Sequence, residues 1–162
     1  MQKLPPIEKF YEAYSALADD RVNMGENEAT VTSSDGAKAY KVEWQQDTYS
    51  STDNATLWQG YAGYPVISIL ILQKRLTVDK NIFSRFSDIN WNSLNKKHKR
   101  DYRAALLEVY EQKQFTDEEI QHVDSIAVPK TYPHSNVSYA PASQQSILPY
   151  PTPMFLKISY KS

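Results

Sequence analysis

The stretch Tyr49 to Leu72, YSSTDNATLWQGYAGYPVISILIL, constrains the fold more than any other part of the chain. It opens as polar turn residues, passes through Trp58, Tyr61, Gly63 and Tyr64, and ends in a compact apolar run. Pro65 opens that run, which holds Val66, Ile67, Ile69, Leu70, Ile71 and Leu72. It is far shorter than the ~20 residues a membrane helix needs, so it belongs in a protein core. Periodicity alone does not separate a buried strand from a buried helix here. The β-branched content favours a strand. Proline at a first helical position and the Gln73-Lys74-Arg75 finish favour a helix.

The segments before this stretch are easier to read. Pro5 and Pro6 precede a helix whose apolar stripe is Ile7, Phe10, Tyr11, Tyr14, Leu17 and Ala18. The spacing is helical, and proline is tolerated in a first turn. After Asp19-Asp20 the period changes to two. Short alternating runs at Arg21–Met24, Glu28–Thr32, Lys38–Trp44 and Thr48–Ser51 are separated by turn signals at Gly25-Glu26-Asn27, Ser33-Ser34-Asp35-Gly36 and Gln45-Gln46-Asp47. This predicts a three- to four-stranded antiparallel meander with a helix packed on one side. Tyr40, Val42 and Trp44 share one face of the clearest strand.

The segments after Leu72 read as helices. Asp79 can cap a short one carrying Ile82, Phe83 and Phe86. Asp88 or Asn90 can cap a longer one reaching Lys113, with Tyr102, Ala105, Leu106, Val109 and Tyr110 as its core stripe. Thr116-Asp117-Glu118-Glu119 is a capping-box pattern before a last helix with Ile120 and Val123. The fold class expected is therefore α+β: an N-terminal helix, the meander, the apolar segment, then a C-terminal helical part. From Val128 the composition breaks. Six of the nine prolines lie beyond it, and no acidic residue follows Asp124. The organisation expected is one globular domain over 1–126 and a proline-rich tail over 127–162. Within the tail, Phe155 to Tyr160 is a candidate last strand or docking peptide.

Charge is close to neutral overall, formally −1, so no global field recruits nucleic acid or membrane. The average hides a split. Residues 1–70 carry five basic and ten acidic side chains, and residues 71–115 carry ten and five. With no cysteine, disulfides and thiolate metal sites are excluded, and the N-terminus lacks the apolar core of a signal peptide. The chain is expected to be cytoplasmic.

The search for chemistry is mostly negative. Gly25, Gly36, Gly60 and Gly63 make no phosphate-binding loop. His98, His122 and His134 have no metal-ligand spacing, and His98 lies in a basic run as a solvated residue. Asp53 beside aromatic residues has the chemistry of a general base, but Asp53-Asn54 reads first as a turn. Asn54-Ala55-Thr56 and Asn136-Val137-Ser138 are chance matches to a glycosylation sequon. No cofactor and no metal are expected, and no enzyme activity.

Residues 7–75 resemble a SWIM zinc-finger domain. That family has a helix, a small antiparallel meander, a Cys-x-Cys pair ending a strand, a variable loop, and a Cys-x-His pair starting a helix. The leading helix ending at Ala18-Asp19-Asp20, the strand Tyr40-Lys41-Val42, Tyr49-Ser50-Ser51 and Gly63 to Leu70 follow in that order. The resemblance implies a helix, not a strand, at Val66 to Leu72. It places the first ligand pair on Tyr49 and Ser51 and the second on Val66 and Ser68. None of the four is a zinc ligand, so the metal site does not carry over. A structural zinc contributes on the order of 10 kcal/mol to folding a small module. The replacement expected is an aromatic plug of Tyr49, Trp58, Tyr61 and Tyr64; the alternative is that Trp58 and Tyr61 form an exposed ligand surface.

The function expected is a non-catalytic binding module. Lys96, Lys99, Arg100 and Arg103 sit at helical spacing on one face, with Lys97 beside them, an arc that can track nucleic-acid phosphates or meet an acidic protein. The plain alternatives are a solvated helix face, or an acidic half facing a basic half within one molecule. A structural subunit that assembles into homo-oligomers through tail 127–162, and a small-molecule binder or enzyme built on loop 49–64, are the other readings. No membrane partner is expected.

Overall fold

The computed structural model describes residues 3–126, and residues 137–138 and 154–158 as backbone strands. Helix α1 (Glu8–Ala18) leads into β1 (Val22–Met24), β2 (Glu28–Thr32), β3 (Ala39–Gln45) and β4 (Thr48–Ser51). A π-helical turn (Ala55–Gln59) follows, then α2 (Tyr64–Leu72), a 3₁₀ helix (Lys80–Phe86), α3 (Trp91–Lys97), α4 (Tyr102–Gln112) and α5 (Asp117–Ile126). Strands β5 (Val137–Ser138) and β6 (Met154–Ile158) complete an antiparallel sheet of order β1-β2-β3-β4-β6-β5.

The α+β class and the order helix, meander, helical segment stand as the residue pattern predicts, and the apolar segment that periodicity left open is a helix. The sheet is wider than predicted, because β6 pairs with β4 in the register Tyr49↔Leu156 and Ser50↔Phe155. Part of the proline-rich tail thus closes the edge of the meander. Residues 139–153 of the tail lie outside the described residues, as does His134.

Burial explains the layering. Phe10, Tyr11 and Tyr14 of α1, Val31 and Val42 of the sheet, Val66, Ile67, Ile69 and Leu70 of α2, and Leu106 and Val109 of α4 form one core. Every residue from Pro65 to Ile71 is buried, so α2 is a predominantly apolar central helix that reaches solvent only at its ends. Its only polar interior residue, Ser68, donates its hydroxyl to the Tyr64 carbonyl at 2.7 Å. Pro65 starts this helix without wasting a donor.

Helices α1 to α4 all stop in the same way. The residue after the C-cap takes the left-handed conformation in each: Asp20 (φ 52°), Lys74 (φ 59°), Lys99 (φ 51°) and Gln114 (φ 57°). The next amide reaches back to close a six-residue ring: Arg21 to Ala16, Arg75 to Leu70, Arg100 to Asn95 and Phe115 to Tyr110, all at 2.8–2.9 Å. These are Schellman motifs built without glycine.

One such stop overturns an expectation. The segment from Asn90 to Lys113 is not one helix. Lys99 ends α3, and Asp101 starts α4 by accepting the Ala104 amide at 3.0 Å. Local capping outweighs the continuous helical pattern at His98–Asp101. The remaining caps follow the sequence: Asp79 accepts Asn81 N–H, Asn90 accepts Ser93 N–H, and Thr116 and Glu119 bond each other's amides reciprocally.

Candidate binding surface

Two neighbouring features stand out on the surface: the corner between α3 and α4, and the loop between β4 and α2.

The corner carries Lys96 and Lys97 at the end of α3, Lys99 and Arg100 in the turn, and Arg103 in the first turn of α4. All five are exposed. The predicted arc along one helix face is replaced by a cluster around a turn, because the helix breaks between them. Lys97 is paired with Glu108 at 2.8 Å, and Arg103 lies 3.9 Å from Asp124. His98 also meets Glu108, so it is a pairing residue rather than a solvated one. The hydrogen bonds from Lys97 and then His98 hold the Glu108 carboxyl below its usual range. Lys96, Lys99 and Arg100 have no carboxylate within ion-pair distance among the described residues. Both Lys99 and Arg100 are left-handed, at φ 51° and 67°, a conformation that costs a non-glycine residue about 1–2 kcal/mol.

The corner rests on a buried polar cluster. The Lys9 ammonium sits 4.1 Å over the Tyr102 ring and donates to both Glu12 oxygens at 3.0 and 3.2 Å. Asn95 of α3 donates to the same Glu12 at 3.0 Å. Lys9 is only 8% exposed. Burial alone lowers its pKa, but the Glu12 carboxylate together with Tyr102 and Tyr61 outweighs that, and the net shift is upward. The Lys3 amide of the same N-terminal segment donates to the Gly60 carbonyl at 3.2 Å, so residues 3–9 link the loop between β4 and α2 to the basic corner.

In that loop the aromatic residues divide. Tyr49 and Tyr61 are buried, and Tyr64 is half-buried edge-on to Tyr40 at 6.2 Å. Trp58 is not part of the plug: it is 62% exposed. The π-helical turn buries Thr56 and Leu57 and turns the indole outward.

What fastens the loop is the carboxylate of Asp53, which the sequence offers first as a turn residue and second as a general base. Asp53, 4% exposed, accepts the Ser51 hydroxyl at 2.5 Å, the Thr56 hydroxyl at 2.8 Å and the Thr56 amide at 3.0 Å. The Thr56 hydroxyl in turn accepts the Gly63 amide at 3.1 Å. A Cβ on Gly63 would lie 2.0 Å from Asp53 Oδ1, so the carboxylate needs glycine there. Burial raises the Asp53 pKa, against the pull of its hydrogen bonds. Three of its roughly four acceptor sites are taken by the loop itself. The signal was present as Ser-x-Asp-x-x-Thr, a spacing that lets one side chain reach both hydroxyls.

Tyr49, Ser51, Val66 and Ser68, the positions where the SWIM resemblance places ligands, are all buried on β4 and the first turns of α2. Each polar one has its own partner: Tyr49 bonds Gln73, Ser51 bonds Asp53, and Ser68 bonds the Tyr64 carbonyl. Among the described residues no three His, Asp or Glu side chains gather as a metal site. No helix among them is long and apolar enough to cross a membrane.

Fold and surface together define an α+β domain with a basic helix–turn–helix corner beside a rigid aromatic loop. The chain belongs to the family described as Uncharacterised conserved protein UCP014422, which matches residues 2–132. No curated protein and no solved structure matches it.

Proposed function

We propose that this protein is a non-catalytic binding module that takes the phosphate backbone of a nucleic acid on the corner between α3 and α4. The observation that carries the reading is the exposure of Lys96, Lys99 and Arg100 without a carboxylate partner among the described residues. Two acidic groups of α4 and its cap are committed elsewhere: Glu108 to Lys97 and His98, and Asp101 to the cap of α4. Net charge near zero confines the attraction to this corner.

The alternative in which the acidic and basic halves neutralise each other has little support. Among the described residues, Arg75–Asp47 is the ion pair that joins residues 1–70 to 71–115. An enzyme built on the loop is disfavoured by the internal engagement of Asp53. The SWIM-like order of residues 7–75 favours a binding role, since that family is associated with DNA and protein contact.

Fluorescence anisotropy with labelled DNA and RNA tests the reading. Binding is expected at low salt, with a log–log salt slope of about −2 to −3 for three phosphate contacts. The triple variant K96A/K99A/R100A should lose it. Absence of binding at low salt ends the proposal.

A further inference from the structure

Resting on that reading, we infer that the nucleic acid is single-stranded, with an unpaired base stacked on Trp58 while the basic corner holds its phosphates. Three observations converge. First, Trp58 is the exposed member of three tryptophans: Trp91 is buried and Trp44 half-buried. A large apolar ring left in water is informative when it stands on a rigid mount. The mount here is tied at both ends, by the Asp53 network before the π-helical turn and by the Lys3 amide on the Gly60 carbonyl after it. Little conformational entropy remains to be lost on binding.

Second, the surroundings suit an anionic ligand that carries flat apolar rings. Residues 54–64, NATLWQGYAGY, contain no charged side chain. The Lys3 amide donates to the Gly60 carbonyl at 3.2 Å, which brings the exposed Lys3 and the 59%-exposed Leu4 beside the turn. No ion pair among the described residues engages Lys3.

Third, one short segment joins the two parts. The Lys3 amide bonds the carbonyl of Gly60, two residues after Trp58, and the Lys9 ammonium lies 4.1 Å over the ring of Tyr102, two residues after Arg100. The stacking ring and the phosphate-binding cations therefore flank the same N-terminal segment. A duplex keeps its base faces stacked inside, so only an unpaired base can offer a face to the indole.

Anisotropy with the full chain, using a labelled single-stranded oligonucleotide and a duplex of equal length, tests this. The single strand should bind more tightly than the duplex. W58A should weaken the single strand by about ten- to a hundredfold while leaving duplex binding unchanged, and W58F should retain part of the affinity. Equal binding of both forms, unaffected by W58A but abolished by K96A/K99A/R100A, overturns the stacking inference and leaves the phosphate reading standing. Preference for duplex overturns it too. Failure of both forms to bind at low salt removes both proposals together.

Discussion

The loop between β4 and α2 and the corner between α3 and α4 are neighbours built on opposite principles. In the loop, Ser51, Asp53, Thr56 and Gly63 satisfy one another, and the buried carboxylate accepts three hydrogen bonds from within nine-tenths-buried surroundings. At the corner, three cations face solvent unpaired among the described residues, and two consecutive non-glycine residues hold left-handed backbone. The first arrangement spends its polar groups on one another. The second stores backbone strain and leaves charge over, which is what a ligand needs. The comparison teaches where to look for function here: at the part whose groups are not used up by the fold.

The sharpest break of that comparison is at Asp53. Replacing it with alanine leaves two buried hydroxyls and one amide without an acceptor, and should cost about 3 kcal/mol in urea unfolding. Gly63→Ala should be similarly severe, since the added Cβ collides with Asp53 Oδ1. If D53A instead unfolds at the wild-type midpoint, the loop is not the stabilising region.

Asp53→Asn gives a finer reading through pH. The folded pKa of Asp53 lies above its ordinary value of 3.8, chiefly through burial. The folded state therefore holds this proton more tightly than the unfolded chain does. Its stabilising contribution is full below the unfolded value and is lost as pH rises through the raised folded value. Wild-type stability measured against D53N should thus decline from acid toward neutral pH. A difference that grows with pH would mean the hydrogen bonds outweigh desolvation.

The same contrast shows how far the sequence could be read. Helix α1, the meander, the Thr116–Glu119 capping box and the Asn90 cap were legible because each rests on local periodicity or a side chain a few residues from its target. The central α2 needed the SWIM resemblance to tip the choice, since a helix buried all round has no period. The break at His98–Asp101 was hidden because the left-handed residue is lysine, not glycine, and only the Asp101 cap marks it. Trp58 was misplaced because the size of a ring does not say which way a loop residue points, and the turn packs Thr56 and Leu57 inward instead. The pairing of β6 with β4 spans about a hundred residues, and no local pattern names a partner that distant.

A smaller effect separates strained positions that bind from those that do not. Lys99→Gly and Gln114→Gly both relieve a left-handed non-glycine residue, and each should gain about 0.5–1 kcal/mol of stability. Only Lys99 lies in the basic corner. K99G should therefore also reduce the salt slope of nucleic-acid binding by about 1, while Q114G leaves it unchanged. Equal behaviour of the two variants in binding would strip the corner of its special status.

The smallest expected effect decides which side of the comparison Trp58 belongs to. An aromatic plug that replaced a structural metal would make Trp58→Ala costly, because burying an indole contributes several kcal/mol to a core. The observed exposure of 62% argues otherwise. The neighbouring Tyr49 and Tyr61 are buried without it, and Thr56 and Leu57 are what the π-helical turn packs inward. W58A should then shift the thermal midpoint by no more than an exposed substitution does, within about 0.5 kcal/mol. A large drop would return Trp58 to the interior and remove it from the ligand surface. An unchanged midpoint, with the single-stranded affinity lost, would place stability in the Asp53 network and binding in the indole mounted on it.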